Sequence, residues 1–333
     1  MVSRSAEQSR LPARHRQQRQ CAGRRRIPYR SRRRRRGDPR HHHRRPRHRL
    51  RHGRLVDLKT TRWDVGAGSD AGIATITLSR PDRRNSWTGR MHTELRHLLQ
   101  VAEDHPDVRV VIITGDPEGQ TFCPGADSKA LESHVQRGGY DAGTPDDIAT
   151  PGHGVAPAFD ADFAAFFGLD VVTIAAVNGA AAGVGLALAC WCDLRVAVSG
   201  ATWTTAHGKL NLPAEYGLSW LLPRLIGHGR ASDLLLSSRR FTSDEAERMG
   251  LVTRLVDDHC HDAALDLARS LITDVSPHSL RATKRQIAID ATHNDPGRSV
   301  RDAQARLEQM STEPDYHEAI TAFIERRPPR WNR

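Results

Sequence analysis

The segment that most limits the possible folds of this chain runs from Val171 to Cys192, 22 residues without a charged side chain. A segment of that length can span a membrane as a helix. The pair Asn178-Gly179 interrupts it with a turn signal, and much of the remainder is Ala and Gly, which gain little from entering lipid. We therefore predict no membrane span, but a buried strand over 171–177, a turn, and a buried helix from about Gly183.

Strand and helix patterns also alternate upstream of this segment. Ile73 to Leu78 alternates apolar residues with Thr75 and Thr77, as a half-buried strand does. Thr88 can cap a following helix whose apolar residues recur at helical spacing: Met91, Leu95, Leu98, Leu99 and Ala102.

Further segments continue this order. We predict apolar strands at 109–114 and 194–198, a loop at 115–127, and a variable surface excursion at 132–168. The alternation of strands and helices predicts an α/β fold with buried parallel strands.

After Pro213 the pattern becomes helical, and the last 70 or so residues are predicted to be helices only. Thr242-x-x-Glu245 is typical of a capping box, Gly250 of a helix stop, and Ser276-Pro277 of a helix start. One apolar stripe marks the first of these helices: Leu218, Leu221, Leu222, Leu225 and Ile226.

The net charge of +11 is divided unevenly along the chain. Residues 1–54 hold 21 Arg and only the acids Glu7 and Asp38, so this extension carries +19 and the remainder −8. An acidic body has no electrostatic reason to bind a polyanion, so we expect no nucleic-acid partner for the folded core.

The extension 1–54 has almost no aliphatic residues, which predicts disorder. Three interpretations compete: a polycation that contacts nucleic acid or acidic surfaces, an Arg-rich transit peptide, and translated sequence upstream of the true start. The abrupt change to ordinary composition at Leu55-Val56-Asp57-Leu58 favours the last, with Val56 as a misread initiator. We divide the chain into this extension, an α/β core at 55–265, and a C-terminal helical region at 266–333.

The five cysteines are an odd number without paired spacing, and the N-terminus lacks the apolar core of a secretory signal. We therefore expect a cytoplasmic protein with inert, buried thiols. Cys190 and Cys192 form a lone CxC inside an apolar run, and no further ligands are nearby, so no metal site is predicted.

Two loop-to-helix junctions are candidate anion sites, Phe122-Cys-Pro-Gly-Ala-Asp127 and Asn178-Gly-Ala-Ala-Ala-Gly-Val-Gly185. Each places a glycine-containing turn between an apolar strand and a helix, which leaves backbone N–H groups free at the positive end of the helix dipole. Close helix–sheet packing explains the same glycines, and the second junction lacks the G-x-G-x-x-G spacing of a dinucleotide site.

Four motifs together resemble the crotonase superfamily, the enoyl-CoA hydratases and isomerases. They are Leu78-Ser-Arg-Pro-Asp-Arg-Arg-Asn85, the two junctions above, and Cys192-Asp-Leu-Arg-Val-Ala197. The resemblance covers about residues 57–333 and implies a spiral of ββα units with a C-terminal helical region used in trimer assembly. It also implies an acyl-CoA thioester as substrate and no separate cofactor, in a homotrimer or a hexamer.

In that family two backbone N–H groups form an oxyanion hole for the thioester oxygen, and the resemblance assigns them to Ala126 and Val184. The stretch Ala126, Asp127, Ser128 and Lys129 then lines the acyl-CoA channel. Arg83, Arg84 and Lys284 are candidate partners of the CoA phosphates, although isolated basic residues are usually only solvated surface.

The acid/base positions distinguish the possible reactions. The two glutamates of the family's hydratases correspond to Ala187 and His207, so both carboxylates are absent. Glu215 resembles the single glutamate of the family's isomerases, eight residues before the Pro of the same helix, here Pro223. A single carboxylate can remove a proton and return it elsewhere on the substrate, so we expect double-bond isomerisation, with His207 as a less favoured base.

The alternatives are a hydratase of fatty-acid β-oxidation and a catalytically impaired CoA-binding paralogue. Glu215 can also be a solvent-facing glutamate favoured by the helix dipole, and His207 a polar residue at a strand end.

Overall fold

The computed structural model describes residues 48–49, 55–137 and 156–331. The strands are β1 (His48–Arg49), β2 (Leu55–Val56), β3 (Thr61–Val65), β4 (Ile73–Leu78), β5 (Val110–Gly115), β6 (Thr121–Cys123), β7 (Val172–Val177), β8 (Ala180–Ala182), β9 (Leu194–Val198), β10 (Thr202–Thr204), β11 (Phe241–Thr242) and β12 (Arg254–Val256). The helices are α1 (Gly89–Asp104), α2 (Ser128–Arg137), α3 (Ala165–Gly168), α4 (Val184–Trp191), α5 (Leu218–Ile226), α6 (His228–Ser237), α7 (Ser243–Arg248), α8 (Cys260–Asp274), α9 (Pro277–Asp290), α10 (Pro296–Met310) and α11 (Pro314–Glu325).

The large sheet has six strands in the order β12-β9-β7-β5-β4-β3. Its central pairs are parallel, as predicted, with Ile112 opposite Ile174 between β5 and β7. The outer strand β3, which the sequence analysis did not identify, pairs antiparallel with β4. A short hairpin-like connection between β3 and β4 permits this arrangement, because no crossover helix separates them.

Both faces of the large sheet are covered, so its strands alternate between two apolar clusters. Ile112 packs with residues of α8 such as Ala264 and Ala268, whereas Val111 and Ile113 face the opposite cluster with α1 and α4. This layering explains why the strands are almost continuously apolar.

A second sheet of four strands has the order β11-β10-β8-β6, in which β6, β8 and β10 are parallel. The loop prediction for 115–127 was therefore incomplete, because Thr121–Cys123 forms β6. Strand β8 likewise follows directly after the turn at Asn178-Gly179. Strands of three residues are too short to show a periodic pattern.

The prediction of a surface excursion at 132–168 is wrong for its last part. Residues 138–155 lie outside the described residues, but Phe159, Phe163 and Phe166 are buried at 2%, 5% and 3% exposure. Apolar burial makes this segment part of the core.

The predicted helix caps are present, with one difference. Thr88 accepts the N–H of Met91 at 3.2 Å, and Ser276 accepts the N–H of Ser279 at 3.1 Å. Thr242 accepts the N–H of Glu245, but the Glu245 carboxylate pairs with a guanidinium at 2.5 Å instead of closing the capping box.

The C-terminal part is helical, as predicted, from α8 to α11. The division drawn at 265/266 falls inside α8, and the described residues from Leu55 onward belong to one compact unit. The predicted extension 1–54 lies outside the described residues except for β1, which pairs antiparallel with β2.

The uncharged segment 171–192 forms β7, the turn, β8 and α4. In the described part of the chain, no helix combines the length and the apolar character needed to cross a membrane.

Candidate active site

The carboxyl ends of three neighbouring parallel strands meet at one edge of the small sheet. β6, β8 and β10 lie side by side, and Cys123 of β6 pairs with Ala181 of β8. The turn after β6 carries Ala126, the turn after β8 leads to Val184, and the chain after β10 leads to His207. Ligands commonly bind beyond the carboxyl ends of parallel strands.

A single bridge to Trp87 orients the turn that carries Ala126. The Trp87 N–H donates to the Gly125 carbonyl at 2.9 Å, and the Trp87 carbonyl accepts the N–H of Asp127 at 2.8 Å. The Gly125 carbonyl and the Asp127 N–H both point at Trp87. Because the N–H and C=O groups of one peptide unit point in opposite directions, the N–H of Ala126 points away from Trp87. None of the described residues accepts that N–H, so it is free for a ligand.

The fully buried Asn85 holds the strand that precedes this turn. Its side-chain amide donates to the carbonyl of Asp116 at 3.0 Å and to that of Thr121 at 2.8 Å. These bonds satisfy backbone carbonyls that regular strand pairing leaves open.

The carboxylate of Asp127 stabilises the same turn. It accepts the Ser86 hydroxyl at 3.1 Å and pairs with Arg80 at 2.9 Å. Burial raises the pKa of Asp127, but the hydrogen bonds from Arg80 and from the Lys129 N–H outweigh that effect and lower it. Asp127 therefore acts as an ionised anchor of the turn and is a poor proton acceptor.

Val184 is the first residue of α4, so its N–H has no partner inside the helix. Gly183 precedes it with φ 52° and ψ −118°, a conformation that only glycine adopts readily. A Cβ at Gly185 would come within 2.1 Å of the Cys123 carbonyl oxygen, so this glycine lets α4 pack directly against β6. That contact brings the two turns together, and the positive end of the α4 dipole lies at the same edge.

Glu215 lies in the loop that precedes α5, three residues before the helix begins at Leu218, and its side chain is half-buried. Burial raises the pKa of Glu215, and the nearby His207 offsets part of this effect. Among the described carboxyl groups, Glu103 also has a raised pKa, but it lies elsewhere and accepts two backbone N–H groups. Glu215 is thus the carboxyl group at this edge with an increased proton affinity.

His207 is buried at 6% exposure, directly after the turn that follows β10. Its Nδ1 atom is buried without a hydrogen-bond partner among the described residues. Ala187 lies in the first turn of α4 and is fully buried, so the helix carries no carboxylate at this position.

The candidate CoA contacts separate into two groups. Arg83, Arg84, Ser128 and Lys129 are exposed and lie on the chain segments next to Trp87 and Ala126. The remaining candidate, Lys284, is buried.

The ammonium of Lys284 is buried and donates to the Val171 carbonyl at 2.6 Å and to Asp193 at 2.7 Å. Asp193 follows the C-terminal end of α4, about 12 Å from Val184 along that helix. The charge of Lys284 is already neutralised by Asp193, and it lies at the far end of α4 from Val184. The expectation that Lys284 binds CoA phosphates therefore does not fit its position.

Three aromatic rings that sequence reasoning missed form a row beside these residues. Phe163 lies with its ring centroid 6.1 Å from that of Trp87 and 4.9 Å from that of Tyr216. Trp87 is the bridge partner of Ala126, and Tyr216 follows Glu215. No spacing links three residues so far apart, so only the fold brings them together.

In the described part of the chain, no group of three or more His, Cys, Asp and Glu side chains is arranged to hold a metal ion. Cys123, Cys190 and Cys192 are buried, and burial raises the pKa of each thiol to about 12.

Known proteins are similar in sequence to this chain over most of its length. A family model described as Enoyl-CoA hydratase/isomerase matches residues 68–333. The 1,2-epoxyphenylacetyl-CoA isomerase of Escherichia coli K12 is 31% identical over 268 residues, covering 79% of this chain and 95% of that protein. The probable enoyl-CoA hydratase EchA12 of Mycobacterium tuberculosis H37Rv is 35% identical over 266 residues, covering 77% of this chain and 88% of that protein.

Solved structures share the fold as well. A probable enoyl-CoA hydratase/isomerase from Mycobacterium abscessus is 31% identical and has a TM-score of 0.69, with 82% of this chain and 99% of that chain covered.

The raised pKa of Glu215 predicts an effect on stability that depends on pH. Because the folded state holds the proton more tightly than the unfolded state, stability falls as the pH rises from the ordinary value of 4.5 through the raised pKa. Glu215→Gln has no proton to lose, so it should raise the free energy of unfolding at pH 7 and have a smaller effect at pH 4. Urea unfolding at both pH values measures this.

The exposed Glu118→Gln is a charge-matched control and should leave the free energy of unfolding nearly unchanged at both pH values. If Glu215→Gln destabilises the protein more at pH 7 than at pH 4, the ionised carboxylate is stabilised by a partner and our interpretation of the site is wrong.

Proposed function

The chain belongs to the enoyl-CoA hydratase/isomerase family, and from that premise we propose that it moves a carbon–carbon double bond in an acyl-CoA thioester, with Glu215 as the proton carrier. The observation that carries the proposal is the half-buried Glu215, whose pKa is raised by burial, at the sheet edge where the N–H groups of Ala126 and Val184 are free.

In the proposed reaction Glu215 removes a proton from C2 of a 3-enoyl-CoA. The electron pair delocalises over C2 to C4 and the thioester oxygen, and the negative charge on that oxygen accepts hydrogen bonds from Ala126 and Val184. Protonated Glu215 then returns the proton at C4, which leaves the double bond between C2 and C3. Atoms and charge balance without a cofactor other than the CoA of the substrate.

The surroundings of Glu215 suit both transfers. A carboxylate with a raised pKa is a stronger base than one in water, and partial burial limits exchange of the transferred proton with solvent. Hydration would need a second group that positions water, and the buried Ala187 cannot serve.

The names of the relatives agree with the coarse class of reaction. One relative is named an isomerase of a CoA ester, and others are named probable enoyl-CoA hydratases. We prefer isomerisation for this chain because, among the described carboxyl groups at this edge, Glu215 is the one with a raised pKa.

Substrate binding is proposed to use the exposed residues beside the first turn. Arg83, Arg84 and Lys129 supply positive charge for the CoA phosphates, and Asp127 and Ser128 continue the wall of the channel from Ala126. Lys284 is left out of this set because its ammonium is hydrogen-bonded to Asp193.

We also propose that the C-terminal helices assemble the chain into a homotrimer or a dimer of trimers. Large apolar side chains on α9, α10 and α11 face outward, with Phe323 82%, Ile324 73% and Ile287 69% exposed. Exposed apolar surface of this kind is typical of an interface between subunits.

The first activity prediction concerns Glu215→Gln, which keeps the shape of the side chain and removes the base. Isomerisation of 3-hexenoyl-CoA should fall by about 10² to 10⁴, while the affinity for the ester stays nearly constant. Absorbance of the conjugated product and titration calorimetry measure the two quantities. His207→Gln should be much milder. A rate that depends on His207 and not on Glu215 would identify the histidine as the proton carrier.

The second activity prediction tests whether the Val184 N–H contributes to turnover. Proline is well tolerated at the first position of a helix, so Val184→Pro removes the donor without breaking α4. We expect turnover to fall by about 10² to 10³. Val184→Ala retains the N–H and is the matched control, expected to stay within about tenfold of wild type. Equal rates for folded Val184→Pro and Val184→Ala would exclude this donor.

A further prediction concerns the assembly of the chain through its C-terminal helices. Phe323→Arg should lower the particle mass measured by light scattering to that of one chain, because a charge cannot be buried at an apolar interface. Leu236→Arg on α6 is the control, since Leu236 is 86% exposed and lies outside the C-terminal helices. A wild-type protein that already has the mass of one chain would disprove the assembly.

A further inference from the structure

We propose that Phe163 closes the acyl end of this site and makes it select aryl-bearing acyl groups over long alkyl chains. The inference rests on the proposed function, since it takes the acyl group to run from the free N–H groups of Ala126 and Val184 past Glu215.

The position of Phe163 follows from its two neighbours. The thioester oxygen is held beside Ala126, and Glu215 must reach both C2 and C4, so the chain beyond C4 continues past Glu215. Phe163 contacts the bridge partner of Ala126, Trp87, and also contacts Tyr216, which follows Glu215. One ring thus lies between the anion-binding turn and the loop of the base.

Further aromatic rings pack next to Phe163 and Tyr216. Phe163 stacks on Phe166 at 6.5 Å, and Phe167 contacts Trp191 at 5.0 Å, which in turn stacks on Trp220 at 6.1 Å. A long alkyl chain would have to displace this cluster. A flat ring gains edge or offset contacts with the faces of Phe163 and its neighbours.

The backbone of Phe163 is an independent sign that its position is constrained. Its φ is 63°, in the left-handed region that bulky residues avoid because of steric repulsion. Such strain persists where the surroundings fix the residue, and it concentrates at ligand sites. A side chain that merely filled the core could do so from an unstrained backbone.

An unpartnered donor beside Phe163 also favours a ring. The indole N–H of Trp87 is buried, at 2% exposure of the residue, without a hydrogen-bond partner among the described residues. A π face can accept such an N–H, whereas an alkyl chain offers no acceptor.

The test compares kcat/KM for 5-phenyl-3-pentenoyl-CoA and 3-dodecenoyl-CoA. Wild type should prefer the phenyl ester at least about tenfold, and Phe163→Ala should lower that ratio at least about tenfold, as expected for a changed apolar pocket. Phe241→Ala is the matched control: Phe241 is equally buried, in β11, and its ring contact is with Trp203 instead of with this cluster, so the ratio should be retained. Phe163→Leu, which is smaller and has no aromatic ring, is the substitute if Phe163→Ala does not fold, and it should also lower the ratio because the ring contact with the phenyl ester is lost.

A binding measurement separates this inference from the proposed reaction. Titration calorimetry with 5-phenylpentanoyl-CoA and dodecanoyl-CoA needs no turnover and should show the same preference and the same loss in the Phe163 variant. If no 3-enoyl ester is isomerised but this binding pattern is found, the proposed reaction fails and the role of Phe163 stands. If the esters are isomerised and wild type shows no preference, or the variant keeps it, the role of Phe163 is overturned.

Discussion

Helix α4 is the element on which the rest of the structure depends, because it is buried over its whole length and both of its ends need partners. The guanidinium of Arg195, buried at 5% exposure, donates to the carbonyls of Cys192 at 2.7 Å and Cys190 at 3.2 Å at the C-terminal end. It also donates to the Leu251 carbonyl at 2.6 Å. With the negative end of the dipole satisfied by this cation, the positive end remains for a ligand at Val184.

Two glutamates of this chain are both shielded from solvent, but their pKa values shift in opposite directions. Glu94 is almost fully buried, but the N–H groups of Lys59 and Thr60 donate to it at 2.8 and 2.9 Å, and Arg90 pairs with it. Burial raises the pKa of Glu94, yet these bonds outweigh it and lower the pKa. Glu215 receives no hydrogen bond from the described residues, so burial raises its pKa. Hydrogen bonding therefore separates a structural carboxylate from one that can carry a proton.

The C-terminal helices are joined to the α/β body by charge and leave their apolar surfaces outward. Lys284 of α9 pairs with Asp193, and Arg285 pairs with Asp170 at 2.8 Å between Nη2 and Oδ2. A buried pair that is also hydrogen-bonded favours one orientation of the helix. This orientation directs residues such as Phe323 away from the body, which is what an assembly through these helices requires.

The sequence by itself determined the elements with a strong local pattern: the central strands of the large sheet, the Thr88 cap of α1, the C-terminal helices and the family motifs. The tertiary structure alone decided the small sheet, the ion pair of Lys284 and the row of rings around Phe163. Strands of three residues carry no measurable periodicity, and Cys123 pairs with Ala181 across almost sixty residues. Local patterns encode which face of an element is apolar, whereas the partner of that face is fixed only by packing of distant segments, and the site is built from such partners.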